Sequence, residues 1–417
     1  MCGIFFVEMN TGSEWDWNTL ELPCVCGRRH VSHTQILTAD DVEDISQWVK
    51  PLLQGGTIGI VTDQPSAAFA AEAADRLQRE GYRTVTVTYP QDVPLEQDSL
   101  QDLHVQPECI RIWIAIGGRS VCMLTQWTAT ERAQAWIAMP TVPFGMEYLQ
   151  PQAVLTHAGI RHVRAARMPD RAILVSEWLH AACPQDIAAG FGSLIARGVD
   201  LTEMRMRAVL QPDKFCSRAI QREYAIWQDT VAKVMQDADP ALSLAYAHAR
   251  CGLAMQAAGS SADCACDVLA DVADATVAAS MPFGVRRMLA AVGQIGIGHI
   301  LLAAESTGGI PRDRTEACVR LARACGGESA HYVIATAQET ALPQSVFVLR
   351  EYRRDFCEWW GQLRGAVREW CKVFRRSFAD AGYCLSGYMT FDTLWNWLQD
   401  GAVLCHPYSL LRLIDLL

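Results

Sequence analysis

The segment Arg111-Ile112-Trp113-Ile114-Ala115-Ile116-Gly117-Gly118-Arg119-Ser120 decides the fold class of this chain. Residues 111–116, apolar from Ile112 onward, are typical of a buried parallel strand, and they run directly into a pair of glycines. A helix is predicted over 120–134, immediately after these glycines. Strand, glycine turn and helix in this order indicate one unit of an α/β fold.

The sequence around this unit repeats the same alternation. A helix is predicted over 65–80, between two of the strands. The other predicted strands cover 57–61, 84–89, 136–139, 152–156 and 171–175. This order favours a parallel sheet wrapped by helices. Beyond residue 184 strand-like runs almost vanish, which predicts an α/β domain over 1–183, a helical domain over 184–417, and a ligand cleft between them.

Composition excludes several classes of protein. The 417 residues are 50% hydrophobic and 20% charged, too apolar for a disordered chain. No segment reaches the ~18 apolar residues of a membrane span, and the first twenty residues lack the basic cluster of a secretory signal. The net charge of −10 argues against nucleic-acid binding. The 16 cysteines are scattered, many of them in apolar stretches, and this predicts a reduced cytoplasmic protein.

A long amphipathic helix is predicted over 346–378. Aromatic and aliphatic residues, from Tyr352 to Phe374, recur there every three or four positions, and the opposite face is basic. The basic face is typical of a solvated surface, with a docking surface as the alternative. The adjacent Trp359 and Trp360 exceed the needs of one buried stripe, so a homo-oligomer or a protein partner is predicted.

Several segments resemble one family of enzymes. They are Cys24-Val25-Cys26-Gly27-Arg28-Arg29-His30, the glycine segment at 114–120, Met139-Pro140-Thr141-Val142-Pro143, Cys183-Pro184 through Gly190-Phe191-Gly192, and the ending at 407–411. Together they resemble the sn-glycerol-1-phosphate dehydrogenases, relatives of the iron-containing alcohol dehydrogenases and 3-dehydroquinate synthases. The resemblance implies a Rossmann-like parallel-sheet domain followed by a helical domain.

That family needs a divalent metal to polarise the substrate alcohol, and it holds the metal with one Asp and two His of the helical domain. The matching positions here are Ser193, Leu269 and Ala291. One hydroxyl and two hydrocarbon side chains are poor ligands. The sequence therefore predicts no divalent metal at this position, and metal-dependent hydride transfer is not expected.

The nucleotide site of the family is partly kept. Its Gly-Ser-Gly-Thr corresponds to 117–120, and a glycine lets backbone N–H groups approach a pyrophosphate. NAD(P) is therefore a candidate cofactor. Its predicted contacts are Asp63, Gly117, Gly118, Ser120, Thr141 and Pro143.

Other family contacts have changed chemistry. Two polar positions have become Met123 and the segment Phe144-Gly145-Met146, and a Lys has become Arg197. Arg119 replaces the second Gly of the family turn, and its guanidinium suits a phosphate. The candidate cleft residues are Arg119, Arg197 and Ser193, and the expected ligand is an anionic small molecule.

Two cysteine groups suggest metal binding elsewhere. Cys24, Cys26 and His30 supply three potential zinc ligands without an evident fourth, and Cys264 and Cys266 form a compact thiol pair. Separately, the opening Met1-Cys2-Gly3-Ile4-Phe5 resembles that of class II glutamine amidotransferases, whose amino-terminal cysteine is the nucleophile.

Three functional readings compete. The first is a metal-independent protein that binds or converts an anionic small molecule, such as a phosphorylated one in specialised metabolism. The second is a catalytically inactive partner or structural subunit. The third is an NAD(P)-dependent dehydrogenase with unconventional ligands. Arg119 and Arg197 lining one open cavity would favour an enzyme, whereas burial of Met123, Phe144, Met146 and Leu269 in that cavity would favour a structural role.

Overall fold

The computed structural model describes most of the chain up to residue 325 and one further helix. The described ranges are 21–22, 24, 26–53, 55–91, 93–157, 160–237, 240–259, 264–276, 281–303, 315–325 and 391–405, with single positions at 330, 333, 354, 357, 358, 361 and 363.

Ten strands lie within the described residues, all before residue 176. They are β1 (Glu21–Leu22), β2 (His30–Val31), β3 (Gln35–Ala39), β4 (Thr57–Asp63), β5 (Arg83–Tyr89), β6 (Ile110–Gly117), β7 (Ala135–Pro140), β8 (Gln152–His157), β9 (Ile160–Ala165) and β10 (Arg171–Val175). Six of them form one parallel sheet in the order β3-β10-β7-β6-β4-β5.

Helices surround the sheet and continue after it. They are α1 (Ile45–Val49), α2 (Ala67–Arg79), α3 (Gln101–His104), α4 (Arg119–Glu131), α5 (Ser176–His180), α6 (Pro184–Leu210), α7 (Ser217–Val234), α8 (Pro240–Ala258), α9 (Ala265–Thr276), α10 (Phe283–Ala303), α11 (Thr315–Cys325) and α12 (Phe391–Leu404).

The central strands are buried on both faces, which explains their continuous apolar runs. Ile112, Ile114 and Ile116 of β6 pack with α1, α2 and α5 on one face. Trp113 and Ala115, which alternate with them, pack with α4 and α8 on the other. The helical part of the chain therefore joins the sheet through α8, and the predicted α/β plus helical fold class is confirmed.

The strand predicted at 152–156 belongs to a separate hairpin. It forms β8, which pairs antiparallel with β9. The parallel sheet is continued instead by β10, which pairs with β7 and β3. The edge strand β3 has no counterpart among the predicted strands. Its short, mixed sequence gives little signal, and its pairing with β10 comes from residues more than 130 positions away.

After Val175 the regular elements among the described residues are all helices, and α6 begins at Pro184. The division into domains at residue 183 stays a prediction. Most of the predicted 346–378 helix lies outside the described residues, as do the opening 1–5 and the ending 407–411. No described helix is both long and apolar enough to cross a lipid bilayer.

Candidate functional site

The glycine turn lies where β4, β6 and β7 end side by side. Gly117 ends β6 with a φ of +156°, and a Cβ there would crowd the Asp63 carboxylate. Asp63 accepts hydrogen bonds from the backbone N–H of Ser66 at 3.0 Å and of Gly118 at 3.3 Å. The Ser66 hydroxyl lies 2.9 Å from that of Thr141. Four predicted nucleotide contacts are therefore neighbours: Asp63, Gly117, Gly118 and Thr141.

The turn also starts helix α4. Gly118 is its extended N-cap, and Ser120 lies in its first turn, half-buried. A helix N-terminus attracts anions because its first N–H groups and its dipole point toward them. Here the Asp63 carboxylate already accepts from the Gly118 N–H, so a phosphate at this end of α4 would approach the N–H groups of the first helical turn that follow Gly118.

Arg119 connects the turn to the helical part of the chain. Its guanidinium lies 3.5 Å from the ring centroid of Phe283, at the start of α10. It also lies 3.8 Å from the buried carboxylate of Asp271 on α9. A cation on an aromatic face beside a carboxylate is a stable arrangement for arginine. The sequence predicted Arg119 as an anion-binding residue. In the structure its guanidinium contacts Phe283 and Asp271.

The three family metal positions lie inside the helical core. Ser193 is on α6, Leu269 on α9 and Ala291 on α10, and each is at most 2% exposed. Leu269 and Ala291 have no donor atom. The donor set at these positions therefore does not fit a hard or borderline divalent ion.

A buried cation links the same three helices. Arg287 of α10, one turn before Ala291, lies 3.0 Å from Glu147, 2.7 Å from Asp200 of α6 and 2.8 Å from Asp267 of α9. Its Nη1 also donates to the carbonyl oxygen of Ser193 at 3.4 Å. All four charged side chains are at least 95% buried. Sequence patterns do not predict this cluster, because its members come from separate segments.

The pKa values of Arg287 and Asp200 are both raised, which favours the charged form of the arginine and the neutral form of the aspartate. Burial disfavours the charged form of Arg287, but the three carboxylates outweigh it and raise the pKa of the guanidinium. Burial raises the pKa of Asp200 above its usual value even though Arg287 opposes this. The neighbouring carboxylate of Asp267 adds to the effect of burial on Asp200, because a like charge disfavours ionisation.

Arg197, the second predicted cleft cation, lies in the helical core. It is 1% exposed, and its Nε donates to Glu223 of α7 at 2.9 Å. Its guanidinium therefore belongs to a buried ion pair between α6 and α7.

The apolar replacements are largely buried. Met123, Met146 and Leu269 are at most 1% exposed, and half-buried Phe144 packs on Tyr148 with ring centroids 5.1 Å apart. Hydrocarbon side chains at these positions leave fewer groups able to hold a polar substrate.

The structure matches solved dehydrogenases over nearly its whole length. An iron-containing alcohol dehydrogenase from Thermococcus thioreducens aligns with a TM-score of 0.56 and 14% identity, over 92% of this chain and 97% of that chain. Glycerol dehydrogenase from Schizosaccharomyces pombe aligns at 0.53 and 12%, over 81% and 91%. Sulfoacetaldehyde reductase from Bifidobacterium kashiwanohense, solved with NAD+, aligns at 0.54 and 11%, over 91% and 92%.

The chain has the iron-containing alcohol dehydrogenase fold. Its sequence is 20% identical over 206 residues to a glycerol-1-phosphate dehydrogenase (NAD(P)+) from Geobacillus stearothermophilus, over 48% of this chain and 51% of the relative. The match thus spans about half the length of this curated relative. No family model matches the chain. These findings confirm the resemblance identified from the sequence motifs.

Within this fold, the Gly190-Phe191-Gly192 motif has a packing role. A Cβ at Gly190 would overlap the carbonyl oxygen of Pro143, and a Cβ at Gly192 would overlap that of Gly284 on α10. Both obstacles are backbone, which cannot move aside as a flexible side chain can. The motif therefore lets α6 approach both the segment after β7 and α10. Pro143 was predicted as a nucleotide contact. In the structure its carbonyl oxygen lies against Gly190 of α6.

A second cluster lies at the β1–β2 hairpin, where the motif 24–30 folds back on the helices. It contains Cys24, Cys26 and His30, joined by Cys216 just before α7, and all four ligand atoms lie within 4.8 Å of one another. Cys216 is the potential ligand that sequence reasoning missed. It is 192 positions from Cys24, and no spacing rule connects the two.

Cys264 and Cys266 are core residues. Both are fully buried, and burial raises the pKa of each thiol well above its usual value. Gln294 donates to the Cys266 sulfur at 3.0 Å. Among the described residues this pair joins no group of potential metal ligands.

Proposed function

We propose that this dehydrogenase-fold protein works without the catalytic metal of its relatives and that any ligand it takes is an anionic small molecule at the glycine turn. The observation that carries the proposal is the position of Arg287. Its fixed positive charge links α6, α9 and α10, the helices that carry Ser193, Leu269 and Ala291.

The cluster supports this proposal through charge and donor chemistry. A metal ion polarises an alcohol because the alcohol oxygen enters its coordination shell. Arg287 has N–H donors instead, and Glu147, Asp200 and Asp267 already lie within ion-pair distance of them. A divalent ion would have to displace this guanidinium from its buried carboxylates. The cation here is a structural group that ties helices together.

The glycine turn supports the second half of the proposal. Gly118 starts a 13-residue helix, and a Cβ there would meet only ordinary contacts at 3.7 Å or more. This leaves room beside the helix N-terminus, where phosphate groups bind well. NAD(P) is the candidate ligand favoured by the relatives, one of which was solved with NAD+ and another of which bears NAD(P)+ in its name.

An inactive partner or structural subunit is the second candidate function. Its support is the burial of Met123, Met146 and Leu269, together with the burial of Arg197 in a separate ion pair. An NAD(P)-dependent dehydrogenase with unconventional ligands is the third, and the assay below tests it directly.

The first experiment measures turnover. Purified protein is incubated with glycerol 1-phosphate and NAD+ or NADP+, with and without Zn²⁺, Ni²⁺ or Fe²⁺, and a metal-dependent relative serves as the positive control. We expect no reduction of the cofactor under any condition, because without a metal ion at the family position the developing alkoxide loses a stabilisation of several kcal/mol. Metal-dependent turnover that a chelator abolishes would refute the proposal.

The second experiment measures binding. NAD+, NADP+ and inorganic phosphate are titrated into the wild type, Gly118→Ala and Gly296→Ala by calorimetry. A methyl group at Gly118 obstructs the approach of a phosphate to the turn, so this variant should bind at least about tenfold more weakly, equivalent to ~1.4 kcal/mol. Gly296 also has open space for a Cβ, and it lies about 20 Å along α10 from Phe283, so its variant should bind as the wild type does. No binding of any probe to the wild type would favour the structural subunit instead.

A further inference from the structure

We propose that the chain holds one structural zinc ion at the junction between the β1–β2 hairpin and the start of α7. The ligands are three thiolates and one imidazole, from Cys24, Cys26, His30 and Cys216. Nothing in this site overlaps with Arg287 or the glycine turn, so the inference is independent of the proposed function.

The distances between the ligand atoms suit a tetrahedral ion. Zinc–sulfur bonds of ≈ 2.3 Å place two sulfurs of a tetrahedron roughly 3.8 Å apart. The Sγ atoms of Cys24 and Cys216 are 3.4 Å apart, and Cys26 Sγ is 3.1 Å from His30 Nε2. A small outward shift of each pair would admit the ion. Three sulfurs and one nitrogen select zinc over hard cations, and a full set of four protein ligands is typical of a structural site.

The imidazole is already oriented for coordination. Nδ1 of His30 lies 2.8 Å from the carbonyl oxygen of Ala257 at the end of α8. That carbonyl can only accept, so Nδ1 carries the proton and Nε2 presents its lone pair to the thiols. A histidine ligand whose second nitrogen donates to a backbone carbonyl is the usual arrangement at zinc sites.

The surrounding backbone brings the two ends of the site together. Gly27 has a φ of +78°, which lets the chain turn sharply between Cys26 and Arg28. Arg28 then donates to the carbonyl oxygens of Pro212 and Asp213, at 2.9 Å and 3.3 Å. These contacts hold the loop before α7, which carries Cys216, against the hairpin.

The test is elemental analysis of the full-length chain purified under reducing conditions from zinc-supplemented cells. We expect about one zinc per chain for the wild type, which is the content of a single four-ligand site. Cys26→Ser and Cys216→Ser should each lose it, since three ligands hold zinc far more weakly. The matched control is Cys109→Ser, because Cys109 is an exposed cysteine outside the cluster and should retain the metal. Zinc-free wild type, or full zinc in both cluster variants, would overturn the proposal.

A ligand exchange separates zinc loss from misfolding. Cys26 is exposed, so Cys26→His should fold and keep a four-ligand site. Its cobalt(II) form should show the visible bands of tetrahedral coordination, with weaker thiolate-to-metal charge transfer than the wild type. Chelation of the wild type should lower its melting temperature by about 5 °C or more, and the same treatment should leave zinc-free Cys216→Ser unchanged. A Cys24–Cys216 disulfide, seen as a mass two hydrogens lower in a zinc-free protein, would contradict the proposal.

Discussion

The guanidinium of Arg287 supplies the positive charge among three buried carboxylates. Glu147, Asp200 and Asp267 come from a short turn, α6 and α9, so Arg287 compensates charges that three separate segments bring together. Such a cluster adds little stability compared with a packed apolar core, but removing one partner leaves buried charge uncompensated.

We therefore expect Arg287→Met to destabilise the protein by about 3–5 kcal/mol, even though Met fills much of the same volume. Urea unfolding of the variant and the wild type measures this difference. The control is Arg79→Met, which removes an exposed ion pair with Asp75 and should cost at most about 1 kcal/mol. If the free energy of unfolding fell equally in the two variants, the buried cluster would contribute no more to stability than an exposed ion pair does.

Asp200 gives the cluster a pH dependence. Burial raises the pKa of its carboxyl, with Asp267 adding to the effect and Arg287 opposing it. The folded state therefore takes up this proton at higher pH than the unfolded state does. The contribution of Asp200 to stability is complete below its ordinary pKa and is lost as pH rises through the raised folded value.

Asp200→Asn should remove this dependence. Near neutral pH the free energy of unfolding of the variant should exceed that of the wild type by the largest amount. This difference should shrink on acidification toward the ordinary Asp pKa of about 3.9. Unfolding free energies measured from pH 4.5 to about 7.5 test this. A constant difference between the two proteins across that range would show that Asp200 titrates normally.

At the scale of helices and strands, the contact between α6 and α10 depends on glycine. A Cβ at Gly284 would overlap the carbonyl oxygen of Ala189, and a Cβ at Gly192 would overlap that of Gly284. Gly284→Ala must therefore push the two helices apart.

We expect Gly284→Ala to lower the free energy of unfolding by about 1–3 kcal/mol, the usual cost of overpacking. Gly296→Ala on the same helix meets open space and should raise it by up to ~1 kcal/mol, because alanine favours the helix. Denaturant titration of both variants gives the comparison. A higher free energy of unfolding for Gly284→Ala would mean that α6 and α10 can move apart at no cost in stability.

The sequence predicted those elements that carry their own pattern. The runs at 57–61, 84–89 and 111–116 consist almost wholly of β-branched or apolar residues, and each forms a strand within one or two residues of its predicted bounds. Strands β3 and β9 were missed because their pairing, rather than their sequence, makes them strands.

The candidate sites divide in the same way. Asp63, Gly117 and Thr141 were predicted from the family resemblance, and they lie close together because each is at the end of a parallel strand. Their role in nucleotide binding stays a prediction. The Arg287 cluster and Cys216 were not predictable, since Asp200 and Glu147 lie 87 and 140 residues from Arg287, and Cys216 lies 192 residues from Cys24.

For the molecule as a whole, the prediction of self-association or of a protein partner remains to be tested. It rests on the aromatic residues of 346–378. The two adjacent tryptophans there cannot both lie on one narrow buried face of a helix. Light scattering at micromolar concentration should give a mass above that of the 46.1 kDa chain. Trp359→Glu should reduce that mass if this helix forms the contact. A wild-type particle of chain mass would oppose the oligomer, and a larger particle unaffected by the substitution would place the contact elsewhere.

The hairpin near residue 30 has a consequence for how the chain is made. His30 bonds to the carbonyl of Ala257, and Cys24 meets Cys216, which is 192 residues further on. At ≈ 5–20 residues per second, the ribosome needs roughly 10–40 s to deliver Cys216 after Cys24. During that interval the early thiols wait without their final neighbours, exposed to oxidants and to stray metal ions. This corner of the fold therefore forms only after a segment synthesised much later than the hairpin becomes available.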